Sequence, residues 1–320
     1  MKYSALIIGC GNIGALYDLK DPSRVWTHAR AFYNAKNIHF DITDSDKKIA
    51  KQVAKAYNIE FVDVDESSDF GRYDIVSITT PTVTHYAYLK SLLQQNIPLV
   101  ICEKPVAAGI PELNKLETLY RKSDSKVLVN YIRRFQPAYA RLRDVIRKRT
   151  AKAACTAINI KYQRGILNNG GHAFDLLEYL FDKPFDFEKF VSQKISFDAF
   201  EFDPTVSGSC IYQNCPVMLL GVEKASYAVF EIELFFPTGK IVVCHSGNEI
   251  RYYEQDKSGK SLVENNDLRE KNILARYMMP VVDKATKLLE KAGEEDNFQQ
   301  ALDLNKRIVK LINVLRKKAG

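Results

Sequence analysis

The sequence predicts two domains of different architecture: an α/β domain with a doubly wound parallel sheet, then an α+β domain with a large open, mostly antiparallel sheet. Three observations support this prediction. Buried strand patterns alternate with helix patterns through the first part of the chain. A glycine-rich turn directly follows the first strand pattern. In the second half, short strand patterns follow one another at hairpin-like spacing.

Length and composition are those of a globular protein with two domains. The chain has 320 residues, of which 46% are hydrophobic and 27% are charged, so it can bury a sizeable core. No apolar run approaches the roughly 20 residues that cross a membrane. The N-terminus enters a strand pattern without a signal-peptide cleavage site. We therefore expect a cytoplasmic protein that binds no membrane.

The cysteines and the net charge bear on metals, disulfides and nucleic acid. The six cysteines form no Cys-x-x-Cys pair and no metal-ligand spacing, so we expect reduced core thiols and no metal site. The net charge of +7 is modest, and the densest basic run, Arg141 to Arg149, lies on a predicted helix. A solvated helix face explains this run better than a phosphate-bearing substrate does. No motif indicates nucleic-acid binding.

The first strand pattern, Tyr3 to Ile8, runs into GCGNIG, which is G-x-G-x-x-G. The first glycine permits the tight turn, the second lets a pyrophosphate approach the backbone, and the third lets the next helix pack on the strand. The amides at the N-terminus of that helix can bind phosphate. This predicts a Rossmann-type dinucleotide site. Its predicted cofactor residues are Gly9, Gly11, Asn12, Ile13 and Gly14.

The second strand pattern, Ile38 to Thr43, ends in Asp44. Its carboxylate can accept hydrogen bonds from the adenosine ribose and repel a 2′-phosphate, so we expect NAD, with NADP less favoured. Asp46 is a weaker candidate because it falls at the start of the next helix. The spacing from Gly14 is long because the segment Tyr17 to His28 intervenes, with the only Trp and a His. This segment is either a surface loop anchored by its aromatic residue or a lid over the cofactor.

Four more strand patterns complete six parallel strands of a doubly wound sheet: Glu60 to Val64, Tyr73 to Pro81, Leu99 to Cys102 and Lys126 to Asn130. The second of these ends in two threonines and a proline, and the following helix carries His85 in its first turn. A lone His at this place is more often structural than catalytic.

The buried run Leu99 to Cys102 stops abruptly at Glu103-Lys104-Pro105. Open α/β sheets bind ligands at the carboxyl ends of their strands, so Lys104 is placed where a substrate or cofactor would lie. Pro105 ends the strand and restrains the backbone after the Lys. A surface Lys after a core strand is the alternative.

The second half is predicted to begin with a helix, Ala138 to Arg149, and to end with helices at Ala275 to Ala292 and Asn297 to Lys318. The segment Asp256 to Asn266 is polar and predicted to be a loop. Between them, strands are predicted at Ala153 to Tyr162, Phe187 to Phe197, Val206 to Tyr212, Val217 to Glu223, Tyr227 to Phe236, Ile241 to His245 and Glu249 to Glu254.

A helix from Gly171 to about Phe181 interrupts these strands and begins with a second chemical cluster. His172 lies in its first turn, with Asn168 four residues before and Asp175 three residues after. A His near its ordinary pKa is a natural general base for an alcohol. A His–Asp capping pair at the helix start is the alternative.

In this order, these segments resemble the Gfo/Idh/MocA oxidoreductases, the family of glucose–fructose oxidoreductase and inositol dehydrogenase. The resemblance covers essentially the whole chain and implies the same two-domain fold. The matching stretches are Gly9 to Gly14, Thr80 to Thr82 with His85, Glu103 to Pro105, and Gly170 to Asp175.

The resemblance implies that Lys104 and His172 are the catalytic pair. Family members usually carry Asp four residues before this His, where this chain has Asn168; some members that act on nucleotide-linked sugars look similar here. The implied substrate-binding residues are Lys104, Arg134, Asn168, His172 and Asp175. Beyond the glycine turn and Asp44, the implied cofactor residues are Thr79, Thr80, Pro81, His85, Glu103 and Lys104.

The resemblance also implies domain roles and assembly. We expect residues 1–125 to bind NAD and residues 126–320 to bind substrate and form the oligomer, with the C-terminal helix able to pack back on the first domain. The sheet half of such proteins commonly packs against a partner, so a homodimer or homotetramer is expected.

The function implied is reversible hydride transfer between nicotinamide and a sugar or nucleotide-sugar carbon, with His172 as acid and base and Lys104 stabilising the alkoxide. One alternative is an enzyme that recycles bound NAD between substrates. Another is a non-enzymatic sensor that binds NAD without turnover. A methyltransferase also uses a glycine-rich turn but gives no reason for Lys104 or His172.

Overall fold

The computed structural model describes residues 2–187, 189–291 and 293–319, and the chain divides into two compact units. The first unit comprises Met1–Ile132 and Ala275–Asp303, and the second comprises Arg133–Leu274 and Leu304–Gly320. The boundary predicted at residue 125 therefore falls before the last strand of the first unit's sheet. Four residues included in the predicted domains or elements lie outside the described residues: Met1, Glu188, Ala292 and Gly320.

The first unit is built on a parallel sheet. Its strands are β1 (Tyr3–Ile8), β2 (Ile38–Thr43), β3 (Ile75–Ile78), β4 (Leu99–Cys102) and β5 (Lys126–Val129). Its connecting helices are α1 (His28–Asn34), α2 (Lys47–Tyr57), α3 (Thr82–Gln94) and α4 (Ile110–Tyr120). The strand order is β2-β1-β3-β4-β5. The order reverses between β1 and β3, which is the point where sheets of this kind bind ligands at the carboxyl ends of the strands.

The third predicted strand, Glu60 to Val64, is wrong as a full strand. Only Phe61 pairs, in an isolated parallel bridge with Ile42. The Ile42 amide donates to the Glu60 carbonyl at 3.1 Å, and the Val62 amide donates to the Ile42 carbonyl at 3.0 Å. The bridge lies beside β2, where the third strand of a dinucleotide-binding sheet belongs. Pairing ends there because the next residues, including Asp63, turn out to solvent.

The helix predicted directly after the glycine turn is only a π-helical turn, Asn12–Leu16. The chain then forms a loop that is anchored by the fully buried Asp18, whose Oδ2 accepts hydrogen bonds from the amides of Trp26 at 2.5 Å and Thr27 at 2.9 Å. Thr27 in turn caps α1 by accepting from the Arg30 amide. A buried carboxylate, which the sequence did not indicate, therefore anchors this segment.

The edge of the sheet at β5 is closed by side chains from the C-terminal part of the first unit. Asp296 Oδ2 accepts from the Val127 amide at 2.7 Å, and Asn297 Oδ1 accepts from the Val129 amide at 2.9 Å. Asn297 Nδ2 also donates to the Val129 carbonyl at 2.9 Å. These amide and carboxylate groups replace a neighbouring strand and protect an edge that would otherwise expose unpaired backbone groups.

The second unit has an eight-stranded sheet, which confirms the predicted large and mostly antiparallel sheet. Its strands are β6 (Ala157–Tyr162), β7 (Val191–Ser196), β8 (Thr205–Tyr212), β9 (Cys215–Gly221), β10 (Phe230–Phe236), β11 (Gly239–Cys244), β12 (Glu249–Gln255) and β13 (Leu262–Glu264). The order is β13-β12-β11-β10-β6-β9-β8-β7, and β6–β9 is the parallel pair. The helices are α5 (Pro137–Thr150), α6 (Gly171–Phe181), α7 (Met278–Glu290) and α8 (Phe298–Ala319), of which α7 belongs to the first unit and α8 crosses the boundary.

Two predictions in the second unit are corrected. The polar segment predicted as a loop contains β13, which pairs with β12 through Glu264 opposite Tyr253. The strand predicted from Phe187 starts at Val191, because Phe187 instead packs edge-on against Phe174 with ring centroids 4.8 Å apart. Within the described ranges, no helix has the length and apolar character to cross a membrane.

Candidate functional site

The glycine turn has the backbone that its sequence predicts. Gly9 has φ of 104°, and a Cβ added there would lie 2.9 Å from the Thr79 carbonyl carbon. A Cβ at Gly14 would lie 2.1 Å from the Gly9 carbonyl oxygen, so only glycine lets the turn pack this closely. A Cβ at Gly11 would meet no atom within 4 Å. The middle glycine therefore faces open space that a dinucleotide phosphate can fill.

Asp44 lies against this turn. Its Oδ2 accepts a hydrogen bond from the Cys10 amide at 2.5 Å, and its Oδ1 accepts from the Asp46 amide at 2.8 Å. Asp46 instead caps α2, since its carboxylate accepts from the amides of Lys48 and Ile49. The structure thus brings Asp44 to the glycine turn and gives Asp46 a structural role.

The loop after β3 is joined to the same turn. The Thr79 hydroxyl donates to the Gly9 carbonyl at 2.6 Å, within reach also of the Ile8 carbonyl. The Thr80 hydroxyl accepts from Thr84 at 2.7 Å, and Pro81 precedes the first residue of α3. Gly9 and Thr79 are therefore fixed to each other on the two sides of the strand-order reversal.

His85 joins this loop to the segment after β4. Its Nδ1 lies 2.8 Å from the Pro105 carbonyl oxygen and its Nε2 lies 2.8 Å from that of Thr80. The side chain is 1% exposed. Burial lowers the pKa of His85, although the two carbonyl contacts act in the opposite direction. Because both ring nitrogens face protein carbonyls, His85 can serve a cofactor by positioning these loops.

Glu103 is held by a buried chain of polar side chains that the sequence did not reveal. Its Oε1 accepts from Asn130 Nδ2 at 2.6 Å and lies 3.1 Å from His28 Nε2, while His28 Nδ1 lies 2.5 Å from the Ser77 hydroxyl. Burial would raise the pKa of Glu103, but these bonds and the charge of Lys104 bring it below its ordinary value. An ionised Glu103 accepts a hydrogen bond from the Nε2–H of His28.

These hydrogen bonds connect Ser77 of β3, His28 of α1, Glu103 after β4 and Asn130 after β5. Glu103 directly precedes Lys104 in the sequence. His28 lies in the segment where the sequence offered a surface loop or a lid, yet its side chain is fully buried. Its spacing to Glu103 in the sequence gives no signal of this contact. The consequence is a fixed backbone at Glu103, followed by Lys104 and a cis peptide bond to Pro105.

The cluster predicted around His172 is built at the start of α6 in the second unit. His172 is the second residue of that helix, as predicted, and is partly exposed. A π-helical turn, Gly165–Gly170, precedes it and is held by the buried Asp203, which accepts from the amides of Leu167 and Asn168, each at 2.8 Å. Asp203 was missed because it lies far along the chain, on the approach to β8.

Asn168 forms a hydrogen bond that an ionised carboxylate at the same position could not form. Its Nδ2 donates to the Arg164 carbonyl at 3.1 Å. A carboxylate at this position has no hydrogen to donate and would face that carbonyl oxygen with its own lone pairs. The amide therefore suits the backbone of this chain better than the Asp usual in the family that the sequence resembles.

Arg134 and Asp175, both predicted to bind substrate, instead bind each other. Arg134 Nη2 lies 2.8 Å from Asp175 Oδ1, and Arg134 Nε donates to Oδ2 at 3.1 Å. The side chains are 8% and 3% exposed. Burial raises the pKa of Asp175 to about 6, against the pull of Arg134. A substrate anion that bound Arg134 would have to displace Asp175 from it.

We predict that Arg134→Ala lowers the free energy of unfolding by about 3–5 kcal/mol, because it leaves a buried carboxylate without its partner. Urea unfolding followed by circular dichroism measures this loss. The double variant Arg134→Ala with Asp175→Asn should recover part of it, since no unpaired charge is then buried. Equal losses for the single and double variants would contradict this account of the pair.

One group in the described part of the chain has the residue types of a metal site: Cys244, His245 and Glu249, with ligand atoms within 4.8 Å of one another. Glu249 Oε1, however, accepts from Arg251 at 2.7 Å and from Arg269 at 2.5 Å. Two guanidinium groups at one carboxylate already compensate its charge and would repel a cation. These three residues therefore do not indicate a metal site.

Comparison with known proteins agrees with this arrangement. Residues 3–131 match a family model described as an oxidoreductase family with an NAD-binding Rossmann fold. The myo-inositol dehydrogenase Hyg17 from Streptomyces leeuwenhoekii is 26% identical over 138 residues, which are 43% of this chain and 39% of that protein. The match thus spans well under half of that relative's length.

Solved structures resemble the chain over nearly its whole length. A mutant form of KijD10, a 3-ketoreductase from Actinomadura kijaniata in complex with TDP-benzene and NADP, has a TM-score of 0.75 at 13% identity and covers 99% of this chain and 98% of its own. The transcriptional regulator Gal80p from Kluyveromyces lactis has a TM-score of 0.73 at 16% identity, with 98% and 88% covered. At these identities the likeness shows a shared fold.

Proposed function

We propose that this chain, whose residues 3–131 match a family model described as an oxidoreductase family with an NAD-binding Rossmann fold, is a nicotinamide-dependent dehydrogenase acting on a hydroxyl carbon of a sugar or nucleotide sugar. The observation that carries the proposal lies within the first unit. The open face at Gly11, the carboxylate of Asp44 and the Thr79 loop meet at the ligand-binding end of the sheet, and Lys104 follows a strand of the same sheet.

The substrate class is proposed from the similar proteins and the chemistry of the site. One similar protein is named a myo-inositol dehydrogenase, and another is a 3-ketoreductase with TDP-benzene and NADP. Both names describe chemistry at a carbon that carries a hydroxyl or keto group. A sugar or nucleotide-linked sugar carries such a carbon and suits the roles proposed for Lys104 and His172.

In the proposed reaction, His172 takes the proton of the substrate hydroxyl while Lys104 holds the same oxygen. Gly9, Gly11 and Asp44 would hold the dinucleotide, and its oxidised nicotinamide would supply the acceptor for the hydride of the substrate carbon. The ammonium of Lys104 stabilises the negative charge that develops on oxygen as the proton leaves. In the reverse direction His172 returns the proton to that oxygen. Glu103, anchored by His28 and Asn130, fixes the backbone from which Lys104 extends.

The experiment that tests the proposal is a panel of sugars, polyols and nucleotide sugars incubated with the protein and NAD or NADP. The absorbance of the reduced nicotinamide reports turnover. We expect at least one compound of this class to reduce the cofactor. Failure of the whole panel, with protein that binds NAD, would overturn the dehydrogenase proposal.

We propose NAD rather than NADP as the preferred cofactor, although KijD10 was solved with NADP. The Asp44 carboxylate lies at the turn where the adenosine ribose is expected. Asp44→Asn keeps an oxygen for the Cys10 amide but removes the charge. We predict that this change shifts the ratio of NADPH to NADH affinity towards NADPH by about tenfold, or about 1.4 kcal/mol.

Fluorescence titrations with NADH and NADPH measure that ratio. Asp46→Asn is the matched control, because Asn also caps helices and Asp46 serves α2. The control should leave the ratio unchanged. If the affinity ratio shifted in Asp46→Asn but not in Asp44→Asn, the selectivity would belong to Asp46 and the prediction would be refuted.

A second candidate function is favoured by one observation. Asn168, in the place of the Asp usual in the family, uses its amide to hold the Arg164 carbonyl. Such a chain could bind NAD and a sugar without turnover, and Gal80p, a transcriptional regulator, shares the fold. Substrate-dependent changes in NADH affinity without cofactor reduction would favour this sensor role. NAD retained through purification would favour an enzyme that recycles its bound cofactor.

A further inference from the structure

Two cysteines of the second unit line one cavity of about 230 Å³. Cys215 begins β9, and Cys155 lies just before β6, the parallel neighbour of β9. The register places Ile158 opposite Val217, so the two cysteines come at the same end of adjacent strands. The Thr156 amide donates to the Phe235 carbonyl at 2.8 Å, which holds the chain beside the sheet at this point.

Continuing the register from Ile158 opposite Val217 places Cys215 opposite Thr156, the residue that follows Cys155, and both cysteines line the same cavity. Neighbouring strands lie about 4.8 Å apart, and disulfides bridge Cα atoms roughly 4.4–6.8 Å apart. A disulfide bond between these residues therefore requires side-chain rotation and little backbone movement. Cys215 is 2% exposed, whereas Cys155 is partly exposed, so one thiol is accessible and the other is sheltered behind it.

The surroundings make the accessible thiol the more reactive of the two. Interaction with the Cys215 thiol lowers the pKa of Cys155, whereas the same interaction and burial raise the pKa of Cys215. A lower pKa favours the reactive thiolate. Burial raises the pKa of the other four cysteines: Cys10, Cys102, Cys210 and Cys244.

We propose that Cys155 and Cys215 form a peroxide-sensitive dithiol site, in which Cys155 is oxidised first and Cys215 resolves it to a disulfide. This site is separate from the proposed dehydrogenase function and does not depend on it. The structure holds both cysteines as free thiols. An oxidant should link the two cysteines of a reactive pair, whereas it should leave buried core cysteines unmodified.

The chemistry balances with hydrogen peroxide as the oxidant. The Cys155 thiolate attacks one peroxide oxygen, an S–O bond forms, the O–O bond breaks, and the departing hydroxide takes a proton to become water. The Cys215 sulfur then attacks the sulfenic sulfur of Cys155, an S–S bond forms, and the S–O bond breaks. The hydroxide that leaves takes the Cys215 proton. A dithiol reductant reverses the change by thiol–disulfide exchange.

The test uses the full chain, reduced and then treated with one equivalent of hydrogen peroxide. After free thiols are blocked, mass spectrometry of a digest identifies linked peptides. We expect a Cys155–Cys215 peptide that disappears on treatment with dithiothreitol. In Cys215→Ser, Cys155 should instead be trapped by dimedone as the sulfenic acid. In Cys155→Ser, neither the linked peptide nor a dimedone adduct at Cys215 should form.

Cys244→Ser is the control, because Cys244 is a partly exposed thiol without a cysteine partner in its hydrogen bonding. It should form the disulfide as the wild type does. The proposal is overturned if Cys155 stays unmodified while Cys244 reacts, or if Cys155 is oxidised in the wild type to sulfinic acid without a linked peptide. Circular dichroism spectra of each variant establish that the chains compared are folded.

Discussion

Replacing Lys104 by alanine is expected to lower turnover by about 10²–10³-fold, the cost of removing one donor from a developing oxyanion. The affinity for NADH should change little. The reason is that Lys104 follows β4, whereas the proposed dinucleotide site at Gly9, Gly11 and Asp44 follows other strands of the first sheet. Steady-state kinetics with a substrate from the panel, together with an NADH titration, measure both quantities.

Lys104→Arg should recover only part of the turnover, because a planar guanidinium differs from an ammonium in reach and geometry. Lys122→Ala is the control for a lost positive charge, since Lys122 is exposed just beyond α4. It should leave turnover unchanged. If Lys104→Ala abolished NADH binding instead, Lys104 would have to be reassigned to the cofactor site.

Replacing His172 by asparagine should lower turnover by about 10²–10⁴-fold, the usual contribution of a general acid–base group. It should also remove the limb of the pH–rate profile that reports the base in the wild type. A purely structural His172 would lower stability without changing the shape of that profile. The profile therefore separates a catalytic role from a packing role in a way that turnover alone does not.

His39→Asn provides the matched control, because His39 is an exposed histidine on β2 of the first unit. Its profile should coincide with that of the wild type. A substrate whose hydroxyl group loses its proton readily needs little help from a base, so it would reduce the difference in turnover between His172→Asn and wild type. The comparison therefore uses one unactivated sugar throughout. An unchanged profile for His172→Asn would contradict the proposed role.

Local patterns predicted most of the fold. All five strands of the first sheet, and helix α6 at Gly171–Phe181, follow from apolar runs and helical spacing. The turn was predictable because part of its steric requirement is local: a Cβ at Gly14 would lie 2.1 Å from the carbonyl oxygen of Gly9 in the same motif. These features depend on residues that are near in sequence.

The features that sequence reasoning missed depend on residues far apart in the chain. Glu103 meets His28 across 75 positions, and Arg134 meets Asp175 across 41. Arg134 was predicted to bind substrate, and the sequence does not show that its guanidinium also pairs with the carboxylate of Asp175. The reduction of the third strand to a bridge at Phe61 likewise depends on where the edge of the sheet turns to solvent.

The most direct test of the central claim, that the first unit binds NAD through its glycine turn, is a fluorescence titration of wild type and Gly11→Val with NADH. A Cβ at Gly11 meets no protein atom within 4 Å and the backbone there has φ of −65°, so the variant should fold with an unchanged melting temperature. We predict that wild type binds NADH and that Gly11→Val loses affinity by at least about tenfold, or 1.4 kcal/mol. Equal binding by both proteins, or no binding by folded and cofactor-free wild type, would contradict the claim.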